Sequence, residues 1–231
     1  MEKRRIRAPF FVVNPKAYLF GDAVTELARH ADELAAKYDL DVFFTAQAVD
    51  LLRIREIGKH LIVTAQHMDG INPGKGMGHV LPDGLAAAGV QATFLNHAEH
   101  AVSVAALAKT IKRADELGIL TIVCADSVAE ARALAMLGPD VIVCEPTALI
   151  GTGKVSDASY MEETRQTIKA ISPTTMVLQA AGISSGKNVY DALMSGADGT
   201  GATSGIVAAA DPHAMLEEMI QAVDCVRAAR M

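Results

Sequence analysis

The residues in this sequence that could do chemistry stand where short apolar runs end. Glu145 follows Val141-Ile142-Val143-Cys144 and precedes Pro146. A carboxylate ending such a run is desolvated, which lifts its pKa toward that of a useful base. An exposed carboxylate at a strand end is the plainer alternative. The segment after it, Thr147-Ala148-Leu149-Ile150-Gly151-Thr152-Gly153-Lys154, joins a rigid proline start to apolar Leu149 and Ile150 and flexible Gly151 and Gly153. Stiff hinges, an apolar underside and free backbone amides are what a lid over residues 146–154 requires.

Two other strand ends carry ionisable groups. Asn14-Pro15-Lys16 reads as a turn with a surface lysine, as a lysine placed where an anion binds, or as a Schiff-base lysine. Pro15 keeps Asn14 extended, as a strand end requires. In Leu95-Asn96-His97-Ala98-Glu99-His100, His97 and His100 have metal-pair spacing, but no spacing fixes Glu99, His67 or His79 as further ligands. The His-x-Glu triplet of zinc deaminases lacks its Pro-Cys-x-x-Cys partner here. A lone His97 acting as general acid or hydrogen-bond donor, with Glu99 nearby, stands beside a structural histidine.

Small residues mark two further ends. Ala181-Gly182-Ile183-Ser184-Ser185-Gly186 and Thr203-Ser204-Gly205 each run into a helical segment. Ser184 and Ser204 read as helix caps, or the exposed amides there form an anion site; two such ends at one mouth favour phosphate. Gly153-Lys154 is not a P-loop, because Ala148 and Val155 occupy positions that need Gly and Ser or Thr. Ser204 likewise breaks the dinucleotide pattern begun at Gly199. A lysine, a histidine, a desolvated glutamate, a lid and a phosphate cradle together suit proton transfer beside a carbonyl on a small phosphorylated substrate, with no metal and no cofactor.

Positioning these groups requires a repeated scaffold. Candidate strands are Phe10–Val13, Asp41–Thr45, Leu61–Ala65, Ala92–Leu95, Thr121–Cys124, Val141–Cys144, Met176–Ala180 and Ala197–Gly201. Helical segments alternate with them near Gly21–Lys37, Val49–Gly58, Pro82–Ala88, Ala101–Leu117, Val128–Leu137, Ala158–Ile171, Gly186–Met194 and Pro212–Arg227, the last opening on an Asp211-Pro212 cap. Regular βα alternation predicts an α/β fold with a parallel sheet. Eight units in 231 residues fit a closed (β/α)8 barrel better than an open doubly wound sheet. No linker divides the chain, so residues 1–231 are expected to form a single domain.

Composition narrows the classes of function. A net charge of −6 disfavours nucleic acid and anionic membranes as partners. The basic run Lys3, Arg4, Arg5, Arg7 reads as a solvated lead-in to the first strand. Pro9 and Pro15 interrupt the only apolar stretch that could serve as a leader, and no run is long enough to span a membrane. Three cysteines, with no Cys-x-x-Cys pair, suit a reducing cytoplasm.

Taken in order, Asn14-x-Lys16, Ala65-Gln66-His67, Leu95-Asn96-His97-x-Glu99, Glu145-Pro146 with Leu149-Ile150-Gly151-Thr152-Gly153, Ala181-Gly182-Ile183-Ser184 and Ser204-Gly205 resemble the triosephosphate isomerase family, most closely its short archaeal-type branch. The resemblance runs from the first strand to the last. It implies that Glu145 moves the proton, that neutral His97 donates to the carbonyl oxygen, and that Lys16 with Asn14 stabilises the enediolate. Glu99 supports that network, and amides around Gly151, Ser184, Ser204 and Gly205 hold the phosphate. It also implies a homodimer or homotetramer, with the segment His67–Gly78 reaching into a partner subunit. The chain departs from the family pattern at Ala98, where Ser is usual, at Pro15, and at Gln179-Ala180, where a Cys-Gly-like pair is usual. Ala98 and Ala180 motivate a second reading, an isomerase of a four-carbon ketose phosphate. A third is a phosphate-binding barrel without catalysis.

Overall fold

The computed structural model describes residues 3–149 and 156–230. Eight parallel strands close into a barrel in sequence order: β1 (Phe10–Val13), β2 (Val42–Ala46), β3 (Ile62–Ala65), β4 (Ala92–Leu95), β5 (Leu120–Ala125), β6 (Val141–Cys144), β7 (Met176–Gln179) and β8 (Gly199–Ala202). The ring closes where Phe10, Phe11, Val12 and Val13 pair with Gly199, Thr200, Gly201 and Ala202. The helices are α1 (Gly21–Tyr38), α2 (Leu51–Ile57), α3 (Pro82–Ala87), α4 (Val104–Leu117), α5 (Val128–Ala135), α6 (Ala158–Ile171), α7 (Gly186–Met194), α8 (Ser204–Val207) and α9 (Pro212–Ala229). This is the single-domain (β/α)8 barrel expected from the βα alternation, with the short helix α8 added after β8.

The strands read as continuous apolar runs because both of their faces are buried. Phe10, Val12, Phe43, Ile62, Phe94, Ile122, Val143 and Leu178 fill the inside of the barrel, while Phe11, Val13, Phe44, Val63, Val123 and Val177 pack outward against the helices. β8 contributes glycine to the inner layer because its neighbours leave no room. A Cβ on Gly199 would fall 2.3 Å from the Phe10 ring, and one on Gly201 would fall 2.7 Å from Val12. Phe10 takes that space and meets Phe43 edge to face, with centroids 5.3 Å apart.

Side-chain caps define several helix starts. Ser103, Ser127, Asp157, Ser185 and Asp211 each accept an amide hydrogen from the first turn of the helix that follows. The cap of α7 is therefore Ser185, not Ser184, and α8 begins at Ser204 itself after Thr203, which makes no side-chain cap.

The basic lead-in is not simply solvated. Lys3 pairs with Asp115 and Asp140 at 2.6 Å each, and Arg4 and Arg7 both reach Asp41 at 3.0 Å. Asp41, Asp140 and Asp198 precede β2, β6 and β8, and each accepts a backbone N–H, from Arg7, Thr121 and Val177 respectively. These bonds fasten the N-terminal end of the barrel and leave the opposite end open for chemistry. Among the described residues no helix is long and apolar enough to cross a membrane.

Candidate active site

At the C-terminal ends of the strands a cavity of about 240 Å³ opens, where barrels of this kind carry their reactive groups. Asn14, Lys16, His97, Glu99, Glu145, Ser184 and Ser204 all line it. Gly205 lies at the seam between the β7 and β8 loops, where its backbone sits against Ile183 and Ser184. Gly151 and most of the 146–154 segment fall outside the described residues.

Lys16 reaches the cavity through an unusual backbone. It sits at φ 47°, in the left-handed region that costs a non-glycine residue about 1 kcal/mol or more. Asn14 holds it there: its side-chain oxygen accepts the Lys16 N–H at 3.0 Å, and the Asn14 N–H donates to Ala202, extending the β1–β8 ladder. On the other side the Gln66 amide donates to the Lys16 carbonyl at 2.8 Å. The ammonium group then meets Oε1 of Glu99 at 2.6 Å, and this bond holds the Glu99 carboxyl below the usual range.

His97 follows Asn96, which stands at φ 58° and bonds the Cys124 carbonyl through its amide. The Glu99 N–H donates to His97 Nδ1 at 3.1 Å. An imidazole nitrogen that accepts carries no proton, so the ring presents Nε2–H to the cavity. Burial lowers the His97 pKa below its ordinary 6.5, and the Lys16 charge lowers it further, against a smaller opposing effect of Glu99. The histidine is thus a neutral donor. It does not share a ligand set with His100, which stacks on His67 with centroids 4.1 Å apart. Among the described residues no group of three or more His, Cys, Asp or Glu side chains is arranged to hold a metal ion.

Glu145 leaves β6 with its N–H bonded to the Ala125 carbonyl at 3.1 Å. Burial raises its pKa above the ordinary carboxylate value, with Lys16 opposing and Glu99 adding to the shift. Among the described residues its carboxylate accepts no hydrogen bond, as an uncommitted base requires. Cys124 also borders the cavity, but burial raises its thiol pKa far above neutrality, and the Cys144 thiol is likewise raised to about 12. Neither thiol is a nucleophile in this setting.

The opposite wall is made of small residues and backbone. Ala180, Gly182, Ser184, Gly201, Thr203 and Ser204 line it. The amides of Ser204 and Gly205 open α8 and have no carbonyl one turn back to bond. Sequence reasoning missed Asn188. Its side-chain oxygen accepts the Ser184 N–H at 3.2 Å, the Ser184 hydroxyl at 3.1 Å and the Ser185 hydroxyl at 3.0 Å. Its position three residues after the Ser185 cap was the only available signal.

A family model described as triosephosphate isomerase matches residues 9–223. The triosephosphate isomerase of Methanopyrus kandleri is 36% identical over 225 residues, covering 95% of this chain and all of that protein. Those of Methanosarcina barkeri and Methanocaldococcus jannaschii are 34% and 36% identical, covering 93% and 91% of this chain and 99% and 98% of theirs. With this match spanning the barrel from β1 to α9, the chain belongs to the triosephosphate isomerase family.

Proposed function

We propose that the chain is an aldose–ketose isomerase that interconverts D-glyceraldehyde 3-phosphate and dihydroxyacetone phosphate. The observation that carries this is the convergence of three groups on one cavity: a desolvated Glu145, a neutral His97 with its proton on Nε2, and the Lys16 ammonium. In this mechanism Glu145 takes a proton from the carbon beside the carbonyl. His97 donates to the carbonyl oxygen, and Lys16, held by Asn14 and paired with Glu99, stabilises the negative charge that develops. His97 recovers its proton from the neighbouring hydroxyl, whose oxygen becomes the new carbonyl, and protonation of the former carbonyl carbon by the Glu145 carboxylic acid completes the transfer, with no net change in the protein.

The phosphate is assigned to the small-residue wall, where Ser184, Ser204 and Gly205, with Gly151 from the lid, supply amides. Closure of the 146–154 lid would exclude the water that favours phosphate elimination from the enediolate. Self-association as a homodimer or homotetramer is part of the same reading. It is supported by exposed Tyr18, Phe20, Val49 and Met77, the last on the His67–Gly78 segment. A cytoplasmic location accords with the chemistry and with the free cysteines.

A coupled assay with both triose phosphates, run beside Glu145→Gln, tests the proposal. Turnover abolished by the substitution supports it; a folded, phosphate-binding protein without turnover overturns it. Ala98 behind Glu145, which lacks the usual hydroxyl, and Ala180 on the cavity wall, which adds a methyl where glycine is usual, motivate the four-carbon ketose phosphate reading. Comparing kcat/KM across chain lengths separates the two.

A further inference from the structure

Behind the cavity, a series of hydrogen bonds joins the loop that carries His97 to the hinge that carries Glu145. Glu145 is bracketed by two backbone bonds. Its own N–H donates to the Ala125 carbonyl at 3.1 Å, and the N–H of Thr147, just beyond Pro146, donates to Oδ1 of Asp126. The Thr147 hydroxyl adds a second bond to the same carboxylate. Both anchors are consecutive residues at the end of β5. Asp126 is itself braced, because its N–H donates to Oε2 of Glu130 at 2.6 Å. The other oxygen of Glu130 faces the Asn96 amide at 3.4 Å, and Asn96 also donates to Cys124 and accepts from Val102 at 3.2 Å.

The Glu145 carboxylate makes no hydrogen bond among the described residues. The hollow of about 270 Å³ on its far side is lined by Asn96, His97, Ala98, Asp126, Glu130 and Thr147. Ala98 brings no hydroxyl to that hollow, so among the described residues no hydrogen bond directs the carboxylate and its direction follows from the backbone. We infer that Asp126, braced by Glu130, is a positioning residue: it pins Thr147 and so fixes the backbone of Glu145, from which the base is aimed at its proton. The inference rests on the proposed isomerase reading, in which Glu145 is the base.

The test compares Asp126→Ala, Asp126→Asn and the parent enzyme in steady-state turnover of D-glyceraldehyde 3-phosphate, with inorganic phosphate binding and thermal midpoint measured alongside. A base aimed by its backbone loses rate when that backbone loosens, because a small misplacement of a reacting group costs up to ~10²-fold. Asp126→Ala is expected to lower kcat about 10-fold with KM and phosphate affinity within about twofold of the parent. Asp126→Asn, which keeps an acceptor oxygen, should recover most of that loss. A kcat within about twofold of the parent in Asp126→Ala, a KM that rises in step with the loss, or an Asn variant as impaired as Ala overturns the inference. Should the parent protein turn over neither triose phosphate, the isomerase reading fails separately. Amide exchange at Thr147 and Glu145 then decides the positioning: faster exchange at both in Asp126→Ala supports it, and unchanged exchange overturns it.

Discussion

The backbone N–H of Glu99 donates to Nδ1 of His97 at 3.1 Å, so a main-chain bond chooses the tautomer of the imidazole that faces the cavity. The same residue pairs its carboxylate with Lys16 at 2.6 Å. Glu99 thereby sets both the proton position on one reactive group and the place of another. Burial and the Lys16 charge hold the His97 pKa below its ordinary 6.5, so the ring is neutral at pH 7. Ring ¹⁵N shifts should show a neutral, Nε2-protonated imidazole throughout the neutral range, and His97→Gln should lower kcat by about 10²–10³-fold, the cost of one donor to a developing oxyanion. A ring that titrates near its ordinary value would contradict the donor role.

Glu145 gives the clearest pH dependence. Its pKa is raised chiefly by burial, so the ionised base is lost as pH falls through a value above that of an ordinary carboxylate. The acid limb of kcat/KM should sit at that raised value, and Glu145→Gln should remove about 10²–10⁴-fold in rate while leaving phosphate affinity near that of the parent. Stability moves the opposite way. The folded state binds this proton more tightly than the unfolded chain, so the destabilisation grows as pH rises from the ordinary carboxylate value, is complete above the raised value, and disappears in acid. Glu145→Gln should therefore be more stable than the parent at pH 7, with the gap closing as pH falls below the ordinary carboxylate value.

The strands were legible because short runs of apolar and small residues buried on both faces have few other ways to fold, and their observed bounds lie within one or two residues of the expected ones. The short helix α8 was not legible: four residues, Ser204–Val207, cannot show a helical period. Ser184 and Ser185 are adjacent and chemically alike, so only the geometry gives the cap to Ser185. Glu145, His97 and Lys16 could be picked out by residue type and place along the chain. The left-handed turn at Lys16, the tautomer of His97 and the Asn188 bonds depend on partners far along the chain or on backbone angles. The pairing of Lys3, Arg4 and Arg7 was missed for the same reason, because Asp41 and Asp140 are far from them in sequence.

Asp41 offers a test of the barrel floor that does not involve the site. It is 1% exposed and accepts from the Arg7 N–H at 2.9 Å, the Arg7 guanidinium at 3.0 Å and Arg4 at 3.0 Å. Asp41→Ala removes the common acceptor of charge-assisted bonds and should cost about 3 kcal/mol in urea unfolding. Asp41→Asn retains an acceptor for the backbone N–H and should cost less. Both should leave KM for the triose phosphates unchanged, since the residue lies at the end of the barrel away from the cavity.

Asn188 occupies its three donors in place of a ligand. The Ser184 N–H that the phosphate reading requires is bonded to the Asn188 side chain at 3.2 Å, so an anion entering there must displace that oxygen or share the donor with it. Asn188→Ala removes the competitor without touching the amide. Isothermal titration with inorganic phosphate should show tighter binding, by about 5-fold if one hydrogen bond of ~1 kcal/mol is freed. Weaker binding would mean that Asn188 holds the loop in its binding shape instead.

Gly205 is where the two halves of the phosphate wall meet. A Cβ at this position would lie 2.4 Å from the Ile183 carbonyl oxygen and 2.7 Å from Ser184 Cα, both backbone atoms that no side-chain rotation can clear. Gly205→Ala must therefore push the β7 and β8 loops apart, at a cost of about 1–3 kcal/mol in stability. The same displacement separates the Ser184 and Ser204 amides that the phosphate reading brings together. KM for D-glyceraldehyde 3-phosphate should rise about 10-fold or more, while the pH at which the acid limb falls stays with Glu145. A loss of stability with KM unchanged would move the phosphate away from this seam, because the loops cannot part without carrying both amides with them.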